Sequence, residues 1–309
     1  MIGLRRPRGH GARQAGVSLI ELMIALAIGV IMILAVSRIY LASAGGAQEA
    51  EARATLDARM RFLHGRLSDE FRRADFWGRV PAAAERTGNL TLDNDCEGDF
   101  AFGRGEEASV ATADRPLGVW ASRQSPAGCS LHEPREEQTF VAVRYASEPC
   151  ESAGCDGPAI SSFYPFIGFF SDGAPPATPE RAEPEDHWQY GGSLYYLSED
   201  NDALRRLWIT GSGLASQEVL QGVEALAFRW HDENGWRATE TLSAAIMPRV
   251  DAVEIDAVVS VAVRATYRET AVYRLSDGRE VASAPGRLYR RFTFVVPIEM
   301  HRMGDGDAP

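Results

Sequence analysis

Gly16-Val17-Ser18-Leu19-Ile20-Glu21-Leu22-Met23 opens the longest apolar run of the chain, and residues 17–36 carry a single charge, Glu21. Twenty helical residues rise roughly 30 Å, the thickness of a bilayer's hydrocarbon core, so this segment is long enough to span a membrane. Ahead of it stand Arg5, Arg6, Arg8 and Arg13 with no acid among them, and no comparable basic cluster follows. That asymmetry places the amino terminus in the cytoplasm and the body across the membrane. One long apolar run also excludes a multi-span transporter.

Three readings of this stretch compete. Ala42-Ser43-Ala44 has the small-x-small form of a signal-peptidase site. However, the apolar run is longer than the usual secretory core and a carboxylate sits near its start. A plain membrane anchor explains the length but not Glu21, because an ion is costly in lipid. The third reading gives Glu21 a partner: a new α-amine on Val17 of a neighbouring subunit, at the same depth.

On those residues the segment resembles the type IV prepilin signature: a short basic leader ending in glycine, an apolar first mature residue, Glu at the fifth mature position, then an unbroken apolar helix. It departs only at Val17, where phenylalanine is commonest. The resemblance implies cleavage after Gly16 by prepilin peptidase, N-methylation of Val17, and an assembly role for Glu21 within a filament core.

Composition sets the remaining bounds. The 309 residues are 45% hydrophobic and 24% charged, which excludes collagenous, purely coiled-coil and wholly disordered chains. All 32 basic residues are arginine, against 43 acids. Because four arginines precede the apolar run, the rest is more acidic than the total of −11 indicates. An acidic body is a poor binder of phosphate backbones, so no nucleic-acid partner is expected.

Beyond the span, Leu56, Met60, Leu63, Leu67 and Phe71 form one helical stripe. Glu49/Arg53, Asp57/Arg61 and Asp69/Arg73 stand at the spacing of surface ion pairs. Gly78 and Pro81 end the pattern, so a helix is expected over residues 17–76, with a soft point at Gly45-Gly46. Period-two strands are expected at residues 139–145, 163–170, 193–197, 204–209, 223–230 and 253–267, the last half-buried, with a final strand through Phe292, Phe294, Val296 and Ile298. Residues 171–187 read as an exposed loop. The expected organisation is a leader (1–16), a transmembrane or filament-core helix (17–40), an amphipathic continuation (41–76), a β-rich periplasmic domain (77–302) and a flexible tail (303–309). The fold class is α+β, a pilin-like long helix packed on an antiparallel sheet domain.

The resemblance extends further. Arg59-Met60-Arg61-Phe62-Leu63, Asp69-Glu70-Phe71-Arg72-Arg73-Ala74, the Leu194–Leu197 and Leu204–Leu207 hairpin, and Val223-Glu224-Ala225-Leu226-Ala227-Phe228 are similar to the PilW family of minor pilins. The J-type pseudopilin of type II secretion shares this plan. The resemblance implies a non-enzymatic subunit that contributes to pilus assembly or initiation. Its implied partners are prepilin peptidase, other minor and major pilins, a tip adhesin and inner-membrane lipid. Its implied location is the inner membrane, single-pass, then the pilus surface. The other readings are the secretion pseudopilin, a pilus-borne adhesin or ligand-binding module, and a periplasmic enzyme with an uncleaved anchor.

The exported part holds Cys96, Cys129, Cys150 and Cys155. An even number in an oxidising compartment points to disulfides, and four cysteines allow three pairings. Cys150–Cys155 closes a short loop, which leaves Cys96–Cys129. A zinc site lacks both Cys-x-x-Cys and a nearby histidine at ligand spacing. The acidic stretch 93–99 places Gly98 at the sixth position of a calcium loop, but the twelfth is Arg104, so an acidic turn is expected there. No metal, cofactor or catalytic set is expected.

Overall fold

The computed structural model describes residues 18–78, 85–88, 90–103, 117–150, 155–163, 166–171, 186–243, 245–264 and 266–298. The chain divides into two compact units, Met1–Glu51 and Ala52–Pro309, which share one helix, α1 (Leu19–Arg73). In the first unit every described residue from 19 onward is helical, Gly45 and Gly46 included.

In the second unit α1 buries Ala52, Leu56, Leu63, Leu67 and Phe71 on one face, with Met60 partly buried beside them. This is the stripe expected from the 3.6-residue period. The helix stops at Arg73, short of the expected residue 76, because Asp75 turns into the left-handed region at φ 65°. Its carboxylate accepts the indole N–H of Trp77 at 2.8 Å and the amide of Gly118 at 3.0 Å. Gly118 is required for this approach, since a Cβ there would lie 2.3 Å from the Cα of Asp75.

The strands are β1 (Glu85–Gly88), β2 (Val119–Ser122), β3 (Phe140–Pro149), β4 (Ala159–Phe163), β5 (Phe166–Phe170), β6 (Asp186–Ser198), β7 (Ala203–Thr210), β8 (Gly213–Leu220), β9 (Val223–Asp232), β10 (Gly235–Ala238), β11 (Ala252–Ala262), β12 (Val272–Arg274), β13 (Glu280–Ala282) and β14 (Arg287–Pro297). An eight-stranded sheet runs β1-β5-β4-β6-β3-β2, with β7 also on β6 and β8 on β7. All its pairs are antiparallel except β1–β5. A four-stranded antiparallel sheet runs β10-β9-β11-β14, and β12–β13 forms a separate hairpin.

The main core joins the helix stripe to one face of each large sheet, through Val141, Val143 and Tyr195 on the first and Phe228, Trp230, Ile255 and Val259 on the second. A second cluster, with Trp77, Phe102, Phe169 and Leu194, covers the far face of the eight-stranded sheet. A third, around Val258, Leu275 and Tyr289, covers the far face of the four-stranded sheet.

Two expected strands differ. Phe163 ends β4 and Phe166–Phe170 is β5, two antiparallel strands and not one. β11 ends at Ala262 rather than 267 and is buried on both faces: Asp256 and Ser260 are fully enclosed. The Asp256 carboxylate accepts Arg291 Nε at 2.9 Å and Nη2 at 2.8 Å, Thr293 Oγ1 at 3.1 Å and the Ser276 amide at 2.7 Å. A buried charge is tolerated only with such a set of donors. Of the expected exposed loop, residues 172–185 lie outside the described residues, and Asp186 onward is β6. The expected tail, 303–309, also lies outside them.

Candidate functional site

The helix begins at Ser18, whose carbonyl accepts the amides of Glu21 at 3.0 Å and Leu22 at 3.1 Å. Ser18-Leu19-Ile20-Glu21 therefore has the spacing of a capping box, with an acid in the first turn where unpaired amides favour it. This spacing is legible in the sequence but is easily overlooked beside the lipid argument. Every large apolar side chain over residues 19–41 is exposed, from 49% at Ile28 to 78% at Leu19. Burying one such side chain is worth about 1.5–3 kcal/mol, so a surface of this extent marks a segment covered by lipid or by other apolar helices. Glu21 is exposed within this surface. Gly16 and Val17 lie outside the described residues.

A family model described as the prokaryotic N-terminal methylation motif matches residues 11–37, which span Gly16, Val17 and Glu21. The chain carries the N-terminal methylation motif of prepilin-type proteins. Among solved structures it is similar to a type IV-like pilin, TTHA1219 from Thermus thermophilus, at 19% identity, with 53% of this chain and 80% of that chain covered and a TM-score of 0.29. No curated protein matches.

The cysteines join as Cys96–Cys129 and Cys150–Cys155, and no described cysteine is free. Protein purified from an oxidising compartment is therefore expected to show no thiol reactive under denaturing, non-reducing conditions, and four after reduction. Four before reduction would contradict these bonds.

The acidic stretch is folded about Asp95, which accepts the amides of Cys96, Phe102 and Gly103 at 2.8, 2.9 and 2.7 Å. Burial raises its carboxyl pKa while these donors and Arg144 pull it back. Asp93 turns away to Ser212 at 3.2 Å. The stretch is an acid-centred turn, and no cluster of three metal-ligating side chains occurs among the described residues.

Between the second-unit part of α1 and the eight-stranded sheet lies a cleft of about 400 Å³, lined in part by Arg66, Glu70, Arg73, Tyr145, Gly191 and Arg206. Glu70 is buried and internally paired, with Arg66 Nη2 at 2.6 Å and the Tyr145 hydroxyl donating at 3.1 Å. Burial, then the adjacent Glu70 charge, holds the Tyr145 phenol protonated and thus a donor. This cluster ties the helix to the sheet through polar contacts. Its members are dispersed in sequence, and no local motif announces them.

Proposed function

We propose that this chain is a minor pilin: a subunit that enters the inner membrane with its sheet domain in the periplasm, is cleaved after Gly16 by prepilin peptidase, is methylated on Val17, and joins other pilins to assist pilus assembly. The observation carrying this reading is the methylation-motif match at residues 11–37, together with the exposure on all sides of the apolar side chains in the first part of α1, residues 19–41. An all-round apolar helix is unstable in water, and lipid and then a filament core are successive covers for it. Glu21 is the only acid in residues 17–36 and would meet a neighbour's terminal amine during assembly.

Mass spectrometry of the mature amino terminus tests the proposal. N-methylated Val17 is expected. A terminus at Gly45, or an intact Met1 in a host with active prepilin peptidase, would overturn it. Gly16→Val should block cleavage and leave the leader attached.

A further inference from the structure

Among the described residues the four-stranded sheet ends in an open edge. β14 pairs with β11 on one side, and no described strand pairs with its other side. Register and hydrogen bonding establish which of its backbone groups face outward. In an antiparallel ladder, residues alternate between bonding the partner and pointing away from it. Ser260, opposite Tyr289, sends its amide to Gly222, and Tyr289 donates its own amide to the Glu269 carboxylate at 3.4 Å. Ile298, of opposite parity, donates toward the β11 side, to Asp251 at 2.8 Å. From Tyr289 onward the outward set is thus Tyr289, Arg291, Thr293, Val295 and Pro297. Tyr289 is occupied and Pro297 has no N–H, which leaves Arg291, Thr293 and Val295, all exposed.

Long edges are ordinarily guarded by lysine, proline, bulges or unpaired charge. Here the strand has no proline before Pro297, and its two central arginines are neutralised, Arg290 by Asp57 and Arg291 by Asp256. The open segment is also self-complementary. Two copies turned about Thr293 would place Thr293 opposite Thr293 and Arg291 opposite Val295, so arginines do not face each other and all three residues find backbone partners. On the helix-side face the same register sets Phe292 opposite Phe294, an arrangement that favours pairing.

We propose that β14 pairs antiparallel with β14 of a second copy of this chain, joining two four-stranded sheets into one about a two-fold axis at Thr293. The inference does not depend on the pilin reading. It is tested on the full chain in detergent by short thiol cross-linking, because directly opposed residues bonded to each other have Cα atoms about 5.5 Å apart, within disulfide reach. Thr293→Cys is expected to give a cross-linked dimer, and Val295→Cys, whose opposite residue is Arg291, is expected to give little. Val295→Pro, which removes one outward amide and no internal bond, should reduce Thr293→Cys cross-linking at least tenfold while leaving the circular dichroism and melting curve unchanged. Equal cross-linking at both positions, none at Thr293→Cys, cross-linking insensitive to Val295→Pro, or cross-linking of Thr293→Cys only to a different protein would overturn it.

Discussion

Replacing Phe71 with alanine is expected to lower the unfolding free energy of the sheet domain by about 3–5 kcal/mol, the range for emptying a buried phenylalanine site. Phe71 is fully buried, with its ring 6.2 Å from Phe228 and 6.1 Å from Trp230, at the junction of helix and four-stranded sheet. Asp256→Ala should cost less, about 1.5–3 kcal/mol, although its carboxylate is as well buried. Its chief partner, Arg291, is 40% exposed and can return to water when the acid is gone. Denaturant titration of the full chain in detergent, followed by tryptophan fluorescence, checks both. A Phe71→Ala loss below about 1 kcal/mol, or one smaller than that of Asp256→Ala, would contradict this account of the core.

The features legible in the sequence were those whose physical cause is local. The Leu56–Phe71 stripe announces itself because one helix face meets one core. The apolar run and the glycine before it form a contiguous signature. β11 shows the opposite case. Its alternation of Val253, Ile255 and Ala257 with Glu254 and Asp256 reads as one wet and one dry face. What dries the second face is non-local: the hairpin of β12 and β13 together with arginines from β14, 30 or so residues away. The helix end failed for a related reason. Gly78 and Pro81 are good stop signals, but Asp75 stops α1 earlier because Gly118, 43 residues on, brings an amide to its carboxylate. The Glu70 cluster could be assembled from sequence only in part. Arg66 is one turn away on the same helix, whereas Tyr145 arrives through the strand order of the sheet.

The second large effect is expected at Glu21, where two explanations of the same carboxylate must be separated. As the fourth residue of Ser18-Leu19-Ile20-Glu21, it can support the start of α1, a contribution of about 0.5–2 kcal/mol that any anchored helix would share. As the counter-charge of a neighbour's Val17 amine, it matters only in assembly. Leaving that amine unpaired in an apolar setting costs about 3–5 kcal/mol, or at least a hundredfold in subunit incorporation. Glu21→Gln keeps the size and the capping oxygen but removes the charge. In cells lacking the native chain, it should therefore insert, be cleaved and reach wild-type membrane levels, while its recovery with other pilins falls at least a hundredfold. Glu21→Ala should match it in assembly and add only a small loss of helicity. If Glu21→Gln instead co-purifies with pilins as the wild type does and only Glu21→Ala is impaired, the residue is a helix cap and the charge-pairing account fails. The cost of a lone carboxylate in the apolar segment would then need another origin.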